Sequence, residues 1–142
     1  MDFKRFKEYF NENDLFSINN GMKLVELGEG YARVELTIEE KSKNFMGSMH
    51  GGLLYTMADV AAGASMFFCG KQVVTLSAAT DYIKAAFSGK VIAEGKVIAH
   101  GKTLGRCEVE VRGEDGTLYS QSHITMFITN KDESIPSDLL EG

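Results

Sequence analysis

Residues 51–68 constrain the fold more than any other stretch of this chain. Leu53, Leu54, Met57, Ala58, Ala61, Ala62 and Ser65 recur at helical spacing, and most positions between them are also apolar or small. A helix with so nearly all-round an apolar surface is normally buried. The remaining chain must wrap it, and most of that chain reads at period two. Tyr31, Arg33, Glu35 and Thr37 alternate with Ala32, Val34, Leu36 and Ile38, and Gly28-Glu29-Gly30 joins this run to a strand over 22–28 as a hairpin. After Gly70, strands are expected over 72–84, 89–100, 103–112 and 118–129, with turns at Ser88-Gly89, Gly101 and Asp115-Gly116. Val109 and Val111 alternate with Glu108, Glu110 and Arg112, the pattern of a sheet with one wet face. Phe3, Phe6 and Phe10 suit a short amphipathic helix over 2–10, and the polar stretch 39–49 reads as a loop. The expected fold is α+β: one long central helix wrapped by a mainly antiparallel sheet of about six strands. Such a sheet leaves two edges and an open face, which favours dimerisation.

A chain of 142 residues has the size of one domain, and its single proline, Pro136, lies in a polar tail over 131–142. The net charge of −5 argues against broad phosphate-backbone binding, so no nucleic-acid partner is expected. Cys69 and Cys107 form no CxxC pair and have no nearby histidine, which excludes a four-cysteine zinc site and disfavours a thiol nucleophile. His100 and His123 show no metal-ligand spacing, and no metal or redox cofactor is expected. The N-terminal MDFKRFKEYF has no signal-like apolar stretch. The longest apolar region, 53–69, is interrupted by Thr56, Asp59, Gly63 and Ser65, so no membrane span is expected and a cytoplasmic location is the default.

The chemistry concentrates in Asn44 to Ser65, NFMGSMHGGLLYTMADVAAGAS. His50-Gly51-Gly52 sits where the loop meets the helix. Glycines there permit close approach, and the first helical amides are unpaired and lie at the positive end of the dipole. They can stabilise an oxyanion. Asp59 follows on an otherwise apolar stretch, where a lone carboxylate is costly unless paired or used. The rise from Gly52 to Asp59 is roughly 10 Å, too far for both to surround one carbonyl carbon. If both act, two chains must build each site, and a two-fold dimer would carry two.

Asn44, Gly47, His50-Gly51-Gly52 and Asp59 resemble the N-x-x-G-x-x-H-G-G…D pattern of hotdog-fold thioesterases, most closely the phenylacetic-acid-pathway-type acyl-CoA thioesterases. The element order agrees over about residues 15–130, and Lys102-Thr103-Leu104-Gly105-Arg106 resembles the Gly-Arg segment of that family. The resemblance implies that Asp59 is the nucleophile or general base and that the Gly51 N–H polarises the thioester carbonyl. Asn44 would orient the nucleophile or carbonyl, His50 would hold the loop, and Thr75 would position the attacking water. It implies a homodimer or homotetramer with active sites at the dimer interface. Coenzyme A, as part of the substrate, would lie in a groove beside Gly52, with Lys84, Lys102 and Arg106 as candidates for its phosphates. The basic-Pro pair that often ends the third strand is here Lys84-Ala85. Two other readings use the same fold: an acyl-CoA-binding or sensing module without turnover, and a hydratase or dehydratase pairing His50 with Asp59. The acyl group, and coenzyme A against a carrier-protein thioester, stay open; the acidic net charge favours free coenzyme A.

Overall fold

The computed structural model describes residues 2–132. Two helices open the chain, α1 (Phe3–Asn13) and α2 (Leu15–Asn19), followed by the hairpin β1 (Lys23–Gly28) and β2 (Tyr31–Thr37). The central helix α3 (Gly51–Ser65) precedes β3 (Lys71–Tyr82), β4 (Lys90–His100), β5 (Leu104–Gly113) and β6 (Leu118–Asp132). All five pairings are antiparallel, in the order β1-β2-β4-β5-β6-β3. One sheet therefore wraps one helix, which is the α+β hotdog arrangement that the resemblance implies. Most of the expected polar tail, 133–142, lies outside the described residues, and β6 takes its first two positions.

The expected helix over 2–10 runs to Asn13. Asp2 caps it by accepting from Arg5 N–H at 3.0 Å, and the Asp14 amide closes it on the Phe10 carbonyl at 2.9 Å. Leu15 belongs to a separate short helix, exposed rather than on the apolar stripe of Phe3, Phe6 and Phe10. Asn11 clasps α1 to the free edge of β1. Its amide donates to Leu24 O at 2.8 Å and its carbonyl accepts from Leu24 N at 2.9 Å, as a neighbouring strand would. This edge of the sheet is thereby covered, and β3 is the edge left open.

The central helix stops at Ser65 rather than 68, and a 3-10 turn at Phe67–Cys69 leads to Gly70 at φ 71°. Leu54, Met57, Ala58, Ala61 and Ala62 are buried against Val34, Val91, Ala93, Val109 and Ile124 of the sheet. By length and mean hydropathy (1.3), the 19 residues Gly51–Cys69 are apolar enough for a membrane span, as the core helix of a sheet-wrapped fold can be. The sheet supplies their apolar surroundings instead, and the polar side chains of Thr56 and Asp59 fall on the half-open face.

Small residues set the distance between helix and sheet. A Cβ on Gly95 of β4 would lie 2.7 Å from the Ala61 carbonyl oxygen, which is backbone and cannot step aside. Gly95→Val is accordingly expected to cost about 3 kcal/mol by overpacking and to lower Tm by about 10 °C, read by thermal unfolding. A Tm within about 2 °C of wild type would refute this close contact.

Candidate active site

The loop before α3 is closed by its own hydrogen bonds. The Asn44 side-chain carbonyl accepts from the Met46 amide at 2.9 Å and the Ser48 amide at 3.3 Å, while Gly47 turns the chain at φ 86°. This is the bracketing geometry that asparagine favours in turns. His50 is the N-cap of α3, and its Nδ1 accepts from Gly52 N–H at 2.9 Å. An accepting Nδ1 places the neutral ring's proton on Nε2. Gly52 must lack a side chain for this cap, because a Cβ would sit 2.9 Å from His50 Nδ1. The Leu53 and Leu54 amides both turn to the His50 carbonyl, at 3.0 and 3.2 Å. Among the described residues, the Gly51 N–H is left without an assigned acceptor. The Tyr82 hydroxyl, at the end of β3, donates to the Gly51 carbonyl at 3.0 Å and holds this helix end against the edge strand.

Two turns further along α3, Asp59 meets Thr75 of β3. Thr75 Oγ1 donates to Asp59 Oδ1 at 2.6 Å, and among the described residues the other carboxylate oxygen has no assigned partner. Asp59 is half-buried, not the enclosed lone carboxylate that its apolar neighbours suggest. The reason is topological: β3 is an edge, so the flank of the helix that carries Asp59 opens to solvent beside it. A bulge between Thr75 and Ser77 lies beside this contact.

The structure brings Asp59 and Thr75 together, and His50, Gly51 and Gly52 together, but it does not join the two groups. Eight residues of helix separate Gly51 from Asp59, about 12 Å. The Asn44 side chain is spent within its own loop and has no assigned bond to either group. The proposed phosphate ligands are also separated. Lys102 and Arg106 lie at the start of β5, whereas the Lys84 amide donates to the Tyr119 carbonyl level with Val111 and Arg112, about 20 Å from Arg106 along the strand. One chain cannot gather all three around the same phosphates. Arg106 is exposed and lines a groove of about 480 Å³ with His100, Gly101 and Leu104.

The remaining histidines and the cysteines have structural surroundings. The His100 ring meets Phe68 edge-on at 5.2 Å, and His123 Nδ1 lies 3.5 Å from Glu108 across β5 and β6. Burial pushes the Cys69 and Cys107 thiols above their ordinary range, which disfavours the thiolate a nucleophile needs. Sequence reasoning missed Tyr82, whose contact with Gly51 depends on the edge position of β3, for which the sequence carries no signal.

The thioesterase superfamily model matches residues 46–120, from the loop before α3 into β6, and the chain belongs to that superfamily. It is a thioester hydrolase. A putative esterase of Archaeoglobus fulgidus is 30% identical over 131 residues, covering 91% of this chain and 84% of that protein. The Escherichia coli acyl-coenzyme A thioesterase PaaI is 28% identical over 81 residues, 57% of this chain and 58% of its own length. The solved E. coli PaaI structure shares the fold with a TM-score of 0.84 at 23% identity, covering 88% of this chain and 91% of that one. Two solved variants of a hypothetical thioesterase from Streptococcus pneumoniae are each 25% identical with a TM-score of 0.72, covering 76% of this chain and 90% or 89% of theirs. One replaces an aspartate by alanine and the other a threonine 16 positions further on.

Proposed function

We propose that the chain hydrolyses acyl-CoA thioesters in sites shared between two copies of itself. The observation that carries this reading is the Asp59–Thr75 hydrogen bond on the open flank of α3. Thr75 occupies one carboxylate oxygen and orients the group, leaving the other oxygen to act on water or on the carbonyl carbon. In the water route, the water oxygen bonds to the carbonyl carbon as Asp59 takes its proton. The C–S bond then breaks, and the proton passes to the departing coenzyme A sulfur. The separation of 16 positions between Asp59 and Thr75 is also the one between the residues replaced in the Streptococcus pneumoniae variants.

The oxyanion donor is the Gly51 N–H of the second copy. It is the free amide of the first turn, because His50 engages the Gly52 amide. It stands at the positive end of α3, where a developing negative charge is favoured. Lying about 12 Å from the Asp59 of its own chain, it serves the other chain's carboxylate. Exposed apolar side chains support that assembly. Val74 (54% exposed) and Leu76 (60%) stand on the open β3 edge, and Phe45 (96%) tips the loop before α3. An apolar open edge with unpaired backbone groups is suited to a second copy. Arg106 and Lys102, beside the groove at the start of β5, are the better placed ligands for the nucleotide phosphates. A hydratase pairing of His50 with Asp59 is disfavoured, since the His50 Nδ1 is engaged in capping the helix.

The test is free-thiol release from a panel of acyl-CoA esters together with direct binding. Turnover of at least some esters is expected. Binding without thiol release would replace the hydrolase by the sensing reading, and water addition to enoyl esters would replace it by the hydratase.

A further inference from the structure

A cavity of about 510 Å³ lies between α1, the flank of α3 and the start of β3, within the size range of small-molecule sites. Its walls include Phe6, Tyr9 and Phe10 of α1, Val60 and Gly63 of α3, and Phe67 of the turn that follows. It adjoins the carboxylate. Val60 follows Asp59 in the chain, and Gly63 is one helical turn beyond Asp59 on the same flank, about 6 Å along the axis. The β3 wall is Gln72 and Val73, of which Val73 is two positions before Thr75 and so on the same face of the strand.

Gly63 is the informative position. A mid-helix glycine destabilises a helix relative to alanine. Nothing in the backbone demands it, since its φ is not positive and an added Cβ would meet only Met126 Cε, at an ordinary 3.8 Å. What the missing side chain does is leave space in the cavity wall. The α1 wall is held in place by the two Asn11–Leu24 hydrogen bonds and by Phe6 stacked on Phe67, with ring centroids 3.8 Å apart.

We propose that this cavity receives the acyl group, that the substrate class is acyl-CoA with a bulky, uncharged apolar acyl chain, and that α1 and Gly63 set the chain preference. This rests on the acyl-CoA hydrolase reading. Asp14 also faces the cavity and disfavours acyl chains that end in a carboxylate. The acyl chain passes Asp59 toward Gly63, while the thioester carbonyl stays at the carboxylate.

The test compares kcat/KM for octanoyl-CoA and acetyl-CoA in wild type, Gly63→Leu and Phe10→Ala, with melting curves to confirm folding. Gly63→Leu fills the cavity and is expected to lower the octanoyl-to-acetyl ratio at least about tenfold. Phe10→Ala enlarges it and is expected to move the preference toward longer chains than octanoyl. A ratio unchanged within about twofold in Gly63→Leu, with preference unmoved in Phe10→Ala, would overturn the pocket assignment but leave the hydrolase reading intact. If wild type hydrolyses neither of these two esters, the wider ester panel judges the acyl-CoA hydrolase reading, and calorimetric titration with octanoyl-CoA decides the pocket. Binding weakened about tenfold by Gly63→Leu then supports it, and equal binding overturns it.

Discussion

Asp59→Asn is expected to lower kcat for acyl-CoA hydrolysis by about a thousandfold, with KM changed no more than a few-fold. The substitution keeps the shape of the side chain and an oxygen that can still accept from Thr75 at the 2.6 Å position, so the helix and the edge strand should stay in register. What it removes is the charge. An amide neither attacks a thioester carbonyl nor takes a proton from water, whereas the oxyanion donor and the binding groove are untouched. That separation of effects is the content of the prediction, since an interaction made only in the transition state alters kcat and not KM. Stability should move by less than about 0.5 kcal/mol, because Asp59 is only half-buried. A variant that keeps more than about a tenth of the wild-type kcat would remove the carboxylate from the reaction. The same preparation allows the two routes to be told apart. In a single turnover of wild type in ¹⁸O water, unlabelled acid with the label left in Asp59 identifies an anhydride opened at the Asp59 carbonyl, whereas labelled acid places the water oxygen on the acyl carbon.

The layers of the fold were legible in the sequence because burial imposes periodicity. Ala32, Val34 and Leu36, then Val109 and Val111, then Ile124, Met126 and Ile128, are buried at alternate positions, as their alternation with polar neighbours implies. The local chemistry of the helix start was legible too, since His-Gly-Gly at a loop-to-helix junction is a cap as much as a motif. Strand order was not legible. Nothing in residues 71–82 announces that β3 sits at the sheet edge beside β6, yet that placement is why Asp59 is half-open and not enclosed. That one chain sets Lys84 apart from Lys102 and Arg106 was also not legible, since sequence carries their charge and not the length of β5 between them. Tyr82 and the aromatic residues of α1 were likewise visible only as apolar residues until the tertiary fold set them against Gly51 and beside Gly63.

The proposed division of the site between two chains predicts the second large effect, a loss that mixing restores. Gly51 is the first residue of α3, the position where proline is best tolerated because the missing N–H is unpaired there anyway. His50 already has φ −58° and ψ 131°, the extended conformation that a following proline requires. Added atoms on Gly51 would begin at an ordinary 3.4 Å from the Tyr82 ring. Gly51→Pro therefore deletes one hydrogen-bond donor with little disturbance, and kcat is expected to fall about a hundredfold or more, as on loss of an oxyanion-hole donor. Each single variant is then nearly inactive. In a mixed dimer of Asp59→Asn with Gly51→Pro, one site combines the asparagine of the first chain with the proline of the second and is doubly defective. The other combines an intact Asp59 with an intact Gly51. Random pairing makes about half the dimers mixed, so co-refolding the two variants should recover about a quarter of wild-type activity. Were each site built within one chain, every site in the mixture would carry a defect and no activity would return. The quarter recovery thus depends on the 12 Å of helix between Gly51 and Asp59, a distance that one chain cannot close and a second copy would.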